Sequence, residues 1–144
     1  MRISTRGRYA LRAMVDLALH STGTPISRQE VAVRQGISAN YVAQLFRQLR
    51  QAQLVKAIKG PGGGYILARS PAAISAGDVL RAVEGPLAVA WCIMPENDQR
   101  CQRIESCAVR PLLERITQAI ADVVDNVTLQ DLCDLATTQN ESIK

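Results

Sequence analysis

Apolar residues recur at helical spacing at the start of the chain. Over residues 4–20 they return every three or four positions, which predicts one helix. Ser4 or Thr5 stands where a hydroxyl can cap the first turn of that helix. The residues that carry the spacing are Ala10, Ala13, Met14, Leu17 and Ala18.

Residues 26–53 have the pattern of two helices joined by a tight turn. Ser27 and Glu30 form an S-x-x-E capping box that opens the first helix. Gly36 suits the left-handed residue that ends it, and Ser38 can cap the second helix. The apolar side of the second helix consists of Val42, Leu45, Phe46 and Leu49. Its polar side consists of Asn40, Gln44, Arg47, Gln48 and Gln51.

Two short apolar runs, 54–58 and 65–67, flank a glycine-rich stretch at 60–64. This pattern predicts a β-hairpin over residues 54–68, because glycine allows the positive φ angles of a tight turn. A helix, two capped helices around a glycine turn and a glycine-tipped hairpin together predict a winged helix-turn-helix.

Residues 75–136 predict three further helices, interrupted by an irregular segment at 85–107. Ser75 can cap the first of them, which extends to about Val83.

The second of these helices is long and has one apolar stripe. Pro111 suits its first turn, Asn126 ends it, and Thr128 caps a last short helix. The stripe consists of Leu112, Leu113, Ile116, Ile120, Val123 and Val124. We interpret it as the seam of a homodimer, since a continuous apolar face needs a partner; docking of another protein is the alternative.

The predicted fold class is therefore mainly α with a small β wing, a winged helix-turn-helix followed by a long dimerisation helix. We predict a DNA-binding domain at 1–84, a cysteine-containing sensor loop at 85–107, and a dimerisation helix with a C-terminal helix at 108–144.

Charge is distributed unevenly along the 144 residues. Residues 1–60 hold ten Lys/Arg and two Asp/Glu, which leaves +8, whereas the whole chain carries only +4. A basic N-terminal half indicates either a polyanionic partner or a basic surface that serves only solubility. Taken together with the helix-turn-helix pattern, the charge favours the polyanionic partner.

The composition is that of a globular protein, with 47% apolar and 21% charged residues. No apolar run reaches the roughly 20 residues that span a bilayer, and no leader pattern is present, so we expect a cytoplasmic protein without a membrane partner. Cysteines stay reduced in that compartment. Because the sequence lacks GxSxG, Walker A, HExxH and GxGxxG motifs, we do not expect an enzyme.

The predicted partner is double-stranded DNA. A major groove admits one helix, and the polar residues near the start of the second paired helix are suited to base edges and phosphates. The candidate groove-facing residues are Ser38, Asn40, Tyr41 and Gln44. The candidate phosphate contacts are Arg47 and Arg50 on this helix and Lys56, Lys59, Gly62 and Gly63 on the wing.

Cys92, Cys101 and Cys107 follow the spacing C-x8-C-x5-C within sixteen positions. From the spacing alone, three kinds of site remain open: an iron–sulfur cluster, a structural zinc ion and a thiol redox switch. Cys133 is different, because it shares helical spacing with Leu129 and is expected to be a packed core thiol.

The sequence resembles the IscR/NsrR-type winged-helix regulators over nearly its whole length. The residues that carry the resemblance are MRIS at 1–4, GRYA at 7–10, QGIS at 35–38, Tyr41, QLF at 44–46, LR at 49–50, GPGGGY at 60–65 and the three cysteines before the long helix. The resemblance implies a homodimer on a pseudo-palindromic operator, a repressor in our interpretation, with operator contacts from Ser38, Tyr41, Gln44 and Lys59. It further implies that the three cysteines ligate an iron–sulfur cluster, with 2Fe–2S favoured over 4Fe–4S.

The chain departs from that family at the fourth ligand of the cluster. Some members carry a histidine where this chain has Arg110, and others use a partner carboxylate at the position of Arg8. Arginine is not an iron ligand, and the lone His20 favours a surface or capping role. The remaining candidates are an exogenous thiol, water, or the loop carboxylates Glu96, Asp98 and Glu105. The alternative function is a thiol-redox or metal-responsive regulator without a cluster.

Overall fold

The computed structural model describes residues 2–21, 23–95 and 101–143. Within these ranges the helices are α1 Thr5–His20, α2 Arg28–Gln35, α3 Ala39–Gln51, α4 Ala76–Glu84, α5 Arg110–Asp125 and α6 Leu129–Ile143. The strands β1 Val55–Ile58 and β2 Gly64–Leu67 form one antiparallel pair. Short 3₁₀ turns occur at Pro71–Ala73 and Trp91–Ile93. The predicted fold class, mainly α with a small β wing, is confirmed.

The helix-turn-helix begins and ends as its sequence predicts. Ser27 and Glu30 form both hydrogen bonds of the capping box, at 2.8 and 3.2 Å. The hydrogen bonds from the backbone and side chain of Ser27 lower the pKa of the Glu30 carboxyl. Gly36 adopts φ 68° at the end of α2, and the Ser38 hydroxyl accepts the Tyr41 N–H at the start of α3. Local capping chemistry therefore fixes the turn between α2 and α3.

The wing is attached to the helix-turn-helix by a backbone bridge to Ile26, which lies just before α2. Beside the β1–β2 pairing, Ile26 exchanges two backbone hydrogen bonds with Tyr65 of β2, at 3.0 and 2.8 Å. The Tyr65 ring also lies 4.5 Å from the Phe46 ring of α3, centroid to centroid. The hairpin is thus held against α3 and against the segment that leads into α2, and its position depends on theirs.

The core lies among α1, α3, α4 and the first turns of α6, and aliphatic side chains fill most of it. Its largest fully buried members are Phe46, Met14, Leu17, Leu45, Leu49, Leu54, Ile74 and Leu129. Cys133 is also buried, and burial, with a contribution from the Asp134 charge, raises the pKa of its thiol. The prediction of a packed core thiol is confirmed.

Helix α6 differs from the short helix predicted to end near residue 136, because it continues to Ile143. Its second half has no apolar stripe that periodicity could detect. Hydroxyl groups of Thr137, Thr138 and Ser142 instead donate to carbonyls four residues back along the helix. The first half packs against α1, so the C-terminal helix contributes to the same core as α1, α3 and α4 as well as following α5. Among the described residues, no helix meets the length and hydropathy that a membrane span needs.

A close approach of α4 and α5 depends on Gly77. The Arg81 guanidinium forms two hydrogen bonds with the Asp125 carboxylate, at 2.6 and 2.9 Å. A Cβ at residue 77 would overlap the Asp125 carboxylate and lie 2.8 Å from the Arg81 guanidinium. A side chain at residue 77 would therefore displace this ion pair between the two helices.

We expect Gly77→Ala to leave the free energy of unfolding nearly unchanged, because displacing the exposed Arg81–Asp125 ion pair costs up to about 1 kcal/mol and offsets the gain of about 1 kcal/mol in helix propensity. Urea unfolding followed by circular dichroism measures this change. In an Asp125→Ala background the same substitution should stabilise the protein, because space is then available and alanine favours a helix over glycine by about 1 kcal/mol. An equal change in stability in both backgrounds would contradict the steric explanation.

Candidate nucleic-acid interface

The polar side of α3 is accessible, and most of the predicted groove-facing residues lie on it. Asn40, Gln44 and Arg47 are exposed, whereas Tyr41 is half-buried. Ser38 is exposed, and its oxygen accepts the Tyr41 N–H at 3.1 Å. Its hydroxyl proton remains available to donate outward, so the same side chain can cap the helix and contact a phosphate.

The half-buried Tyr41 is positioned by Tyr9 of α1, which packs in turn against Arg12 of the same helix. The Tyr9 ring packs edge-on against the Tyr41 ring, with 5.9 Å between centroids. The Arg12 guanidinium lies 5.1 Å from the Tyr9 centroid and donates to the Gln35 side chain and carbonyl, at 3.0 and 3.2 Å. Arg12 therefore connects α1 with the end of α2, and Tyr9 connects α1 with the first turn of α3. No periodic signal marks such a contact, because it joins polar atoms of distant residues.

A buried carboxylate holds α2 against α1. Asp16 is 3% exposed, and its carboxylate accepts hydrogen bonds from Arg34 at 2.8–3.1 Å and from the Gln35 amide at 2.9 Å. The hydrogen bond to Asp16 raises the pKa of Arg34. The His20 Nδ1 lies 2.8 Å from the Asp16 carbonyl oxygen, which fits a capping role for this histidine at the end of α1.

Two cavities lined by cations lie on opposite sides of α3. One, of about 250 Å³, is lined by Arg6, Tyr41, Gln44, Leu45, Arg47 and Gln48. The other, of about 860 Å³, includes Arg50, Gln53, Lys56 and Arg69 among its lining residues. Tyr41 and Arg50 are nine residues apart, which at about 100° per residue places them about 180° apart around the helix. The structure thus brings Arg50 and Lys56 together at one cavity and Tyr41, Gln44 and Arg47 at the other; Arg47 lies between Tyr41 and Arg50 around the helix, about 60° from Arg50.

The tip of the wing is exposed and rich in glycine. Lys59 and Gly62 are exposed, Gly63 is half-buried, and the Gly63 N–H donates to the Gly60 carbonyl at 2.9 Å. An added Cβ at Gly63 would overlap the Ile58 carbonyl oxygen, so the turn excludes every side chain there. These three candidate residues line neither of the two cavities beside α3.

The beginning of the cysteine segment, residues 85–107, lies against α5. Cys92 is in the 3₁₀ turn Trp91–Ile93, which contacts α5, and the Val89 N–H donates to the Thr117 hydroxyl of α5 at 3.2 Å. Cys92, Cys101 and Cys107 are half-buried free thiols. The pKa of Arg110 is raised chiefly by its hydrogen bond to Glu114, with smaller contributions from the nearby Cys92 and Cys101.

The donor chemistry of this segment fits an iron–sulfur cluster, since three free thiols lie within sixteen positions. In the part of the chain that the structure describes, no three His, Cys, Asp or Glu side chains are gathered closely enough to hold a metal ion. Glu105 is exposed, and the other loop carboxylates proposed as ligands, Glu96 and Asp98, lie outside the described residues.

Helix α5 has an apolar stripe that the described residues cover only in part. None of its sixteen residues is buried among the described residues. Leu112 is 54% exposed and Val123 is 64% exposed. An amphipathic helix with no buried residue indicates that a further surface covers it.

Known proteins resemble this chain in both sequence and structure. The family model described as "Rrf2: Iron-dependent Transcriptional regulator" matches residues 3–135. The HTH-type transcriptional regulator IscR of Yersinia enterocolitica is 36% identical over 150 aligned positions, which cover 100% of this chain and 90% of that protein.

Two solved structures share the fold at similar identity. CymR (YrzC), the global cysteine regulator of B. subtilis, has a TM-score of 0.78 and 38% identity, over 94% of this chain and 98% of that one. IscR of T. potens has a TM-score of 0.76 and 36% identity, over 94% of this chain and 88% of that one. The resemblance to IscR-type regulators that the sequence predicts is confirmed.

Proposed function

The chain belongs to the Rrf2 family of transcriptional regulators, and from this premise we propose that it binds a pseudo-palindromic operator as a homodimer whose affinity depends on its three-cysteine segment. The observation that carries the proposal is that this segment is hydrogen-bonded to α5, the helix with the partly covered apolar stripe. A change at the thiols would then reach the helix that joins the two protomers.

In the proposed complex, α3 lies in the major groove and the wing reaches the adjacent backbone. Asn40 and Gln44 offer amides that can bond adenine bidentately. The exposed Arg47, Arg50, Lys56 and Lys59 neutralise phosphates, and Gly62 and Gly63 allow the wing tip to approach closely. Regulation by repression follows if the operator overlaps a promoter.

The proposed cofactor is an iron–sulfur cluster, with 2Fe–2S favoured, held by Cys92, Cys101 and Cys107. A bound cluster would supply an anionic centre that is sensitive to iron supply and to oxidation. Cys107 lies three residues before α5 begins at Arg110, and the positive end of a helix dipole favours an anion nearby.

Rearrangement of the thiols would shift the Val89–Thr117 contact and, through α5, the spacing of the two recognition helices. Half-sites are read about 34–36 Å apart or at multiples of this distance, so a small shift changes affinity.

We expect freshly purified protein, handled without oxygen, to show visible charge-transfer absorption with matching amounts of iron and sulfide. Replacing Cys92, Cys101 and Cys107 together with alanine should abolish the absorption and the iron, because the thiolates are the ligands. Cys133→Ala is the matched control, since it removes a thiol outside the segment, and it should keep both. Operator affinity that still follows iron or oxidant in the triple variant would contradict the proposed sensor.

The alternative is a thiol-based sensor that works without a cluster. The described residues do not gather three metal donors, and the fold is about as similar to CymR, a global cysteine regulator, as to IscR. Protein that is colourless, cannot be reconstituted with iron and sulfide, and loses affinity on oxidation only while the three cysteines are present would favour this alternative.

A further inference from the structure

We propose that Arg6, in the first turn of α1, is a phosphate contact for operator DNA, and that it acts with Arg47 across the cavity beside α3. The inference rests on the proposed function and adds to it a residue that neither the helix-turn-helix pattern nor the family resemblance assigned. We refer to the cavity lined by Arg6, Tyr41, Gln44, Leu45, Arg47 and Gln48 as the α1–α3 notch.

The α1–α3 notch is cationic and polar. Among the described residues no carboxylate lines it. Arg6 and Arg47 are both exposed, and neither forms an ion pair or hydrogen bond with a described residue. Two guanidinium groups that line one small cavity repel each other, so an anion between them is favourable. The Tyr41 hydroxyl and the Gln44 and Gln48 amides add neutral donors, a set that suits a phosphate group.

The position of the notch identifies the anion as a phosphate of DNA. Tyr41 and Gln44 belong to the proposed reading surface, so whatever occupies the notch lies beside the bound duplex. Arg50 and Lys56 line the cavity on the opposite side of α3. A helix in a major groove about 12 Å wide has one phosphate row on each side. Arg6 on one side and Arg50 with Lys56 on the other therefore match the two strands that border the groove.

Helix α1 holds Arg6 in this place through a contact with α4. The Ser4 N–H donates to the Glu84 carboxylate at 2.9 Å, and the Ser4 hydroxyl also contacts that carboxylate. A Cβ at Gly7 would lie 2.6 Å from the same carboxylate oxygen, so a side chain there would displace the Glu84 carboxylate. Glu84 is the last residue of α4 and directly precedes the cysteine segment. Arg6 thus lies in a turn tethered to the start of that segment.

The test measures salt dependence of binding by fluorescence anisotropy. The probe is a 30-base-pair duplex selected from a random pool by the unaltered protein, and a scrambled duplex serves for comparison. Arg6→Gln should weaken binding to both duplexes by a similar factor, because a phosphate contact carries no sequence information. It should also make the slope of log K against log salt shallower by about 0.9 for each phosphate that is no longer neutralised, or about 1.8 per dimer. Arg115→Gln on α5, which lines neither cavity beside α3, removes the same charge and should leave the slope unchanged.

The outcomes separate the inference from the proposed function. An unchanged slope in Arg6→Gln, or a slope change equal to that of Arg115→Gln, overturns the inference while DNA binding stands. Weaker binding to the selected duplex alone also overturns it, because that result indicates base reading or misfolding. If the unaltered protein selects no duplex at all, the proposed function fails. Glu84→Ala should reproduce the shallower slope, whereas Glu84→Gln, which keeps an acceptor for Ser4, should not.

Discussion

Replacing Leu112 and Val123 together with glutamate should convert the protein into a monomer and reduce its operator affinity by roughly 10³-fold, towards its non-specific level. The two side chains are eleven residues apart, so they lie about 20° apart around α5. Both are more than half exposed in the single chain, so the substitutions leave its core intact. In a dimer the same two positions would put four carboxylates into an apolar seam, where each burial costs several kcal/mol.

Sedimentation or light scattering gives the mass of the double variant, and anisotropy with the selected duplex gives its affinity. Gln118→Glu is the matched control, because it adds a carboxylate about 140° around α5 from Val123, on a side that is already polar. It should remain dimeric and bind as the unaltered protein does. A double variant that keeps the dimer mass would show that α5 is covered by something other than a second copy of the chain.

The elements predicted most accurately from sequence are those fixed by local chemistry. Ser27, Glu30, Gly36 and Ser38 define the turn between α2 and α3, and each acts on backbone groups within four residues of itself. The apolar row of α3 is likewise local and is predicted correctly, since every residue in it is buried. Such signals survive in the folded protein because no tertiary contact competes with them.

The features that sequence could not predict depend on distant partners. Ile26 pairs with Tyr65 across thirty-nine positions, and no rule of spacing links them. Arg12 stacks on Tyr9 and bonds Gln35, yet in sequence it is one more basic residue on a helix. Arg6 escapes prediction for the same reason. The role proposed for Arg6 depends on the packing of α1 beside α3, and hydrophobic periodicity carries no information about that packing.

The cysteine segment is an intermediate case. Residue type and spacing identify Cys92, Cys101 and Cys107 as a set, and the fold places Cys92 against α5. The identity of a bound group depends on how the three sulfurs converge, and on a fourth donor that Arg110 cannot be. Sequence therefore predicts the chemical class of the site, whereas its ligand set requires the spectroscopic experiment.

The second large effect concerns the stability of the helix-turn-helix. Asp16→Ala should lower the free energy of unfolding by about 2–4 kcal/mol, because it leaves the Arg34 guanidinium and the Gln35 amide without their shared acceptor. Asp16 is buried, but Arg34 is about one-third exposed and water can reach it, so we expect less than the largest losses known for buried pairs. Because Gln35 also receives the Arg12 hydrogen bonds, α2 should loosen from α1 before the rest of the core.

Urea unfolding followed by circular dichroism gives the loss of stability, and hydrogen exchange resolves where it occurs. Amides of α2 should exchange much faster in Asp16→Ala, while those of α5, which lie outside the network, should change only with global unfolding. Glu114→Ala is the control, because it also removes a carboxylate bonded to an arginine, Arg110, but at an exposed site; its unfolding midpoint should stay close to that of the unaltered protein. If the two variants were equally stable, the Asp16 network would be a solvated contact like that of Glu114. The orientation of α2 would then have to come from the apolar core alone.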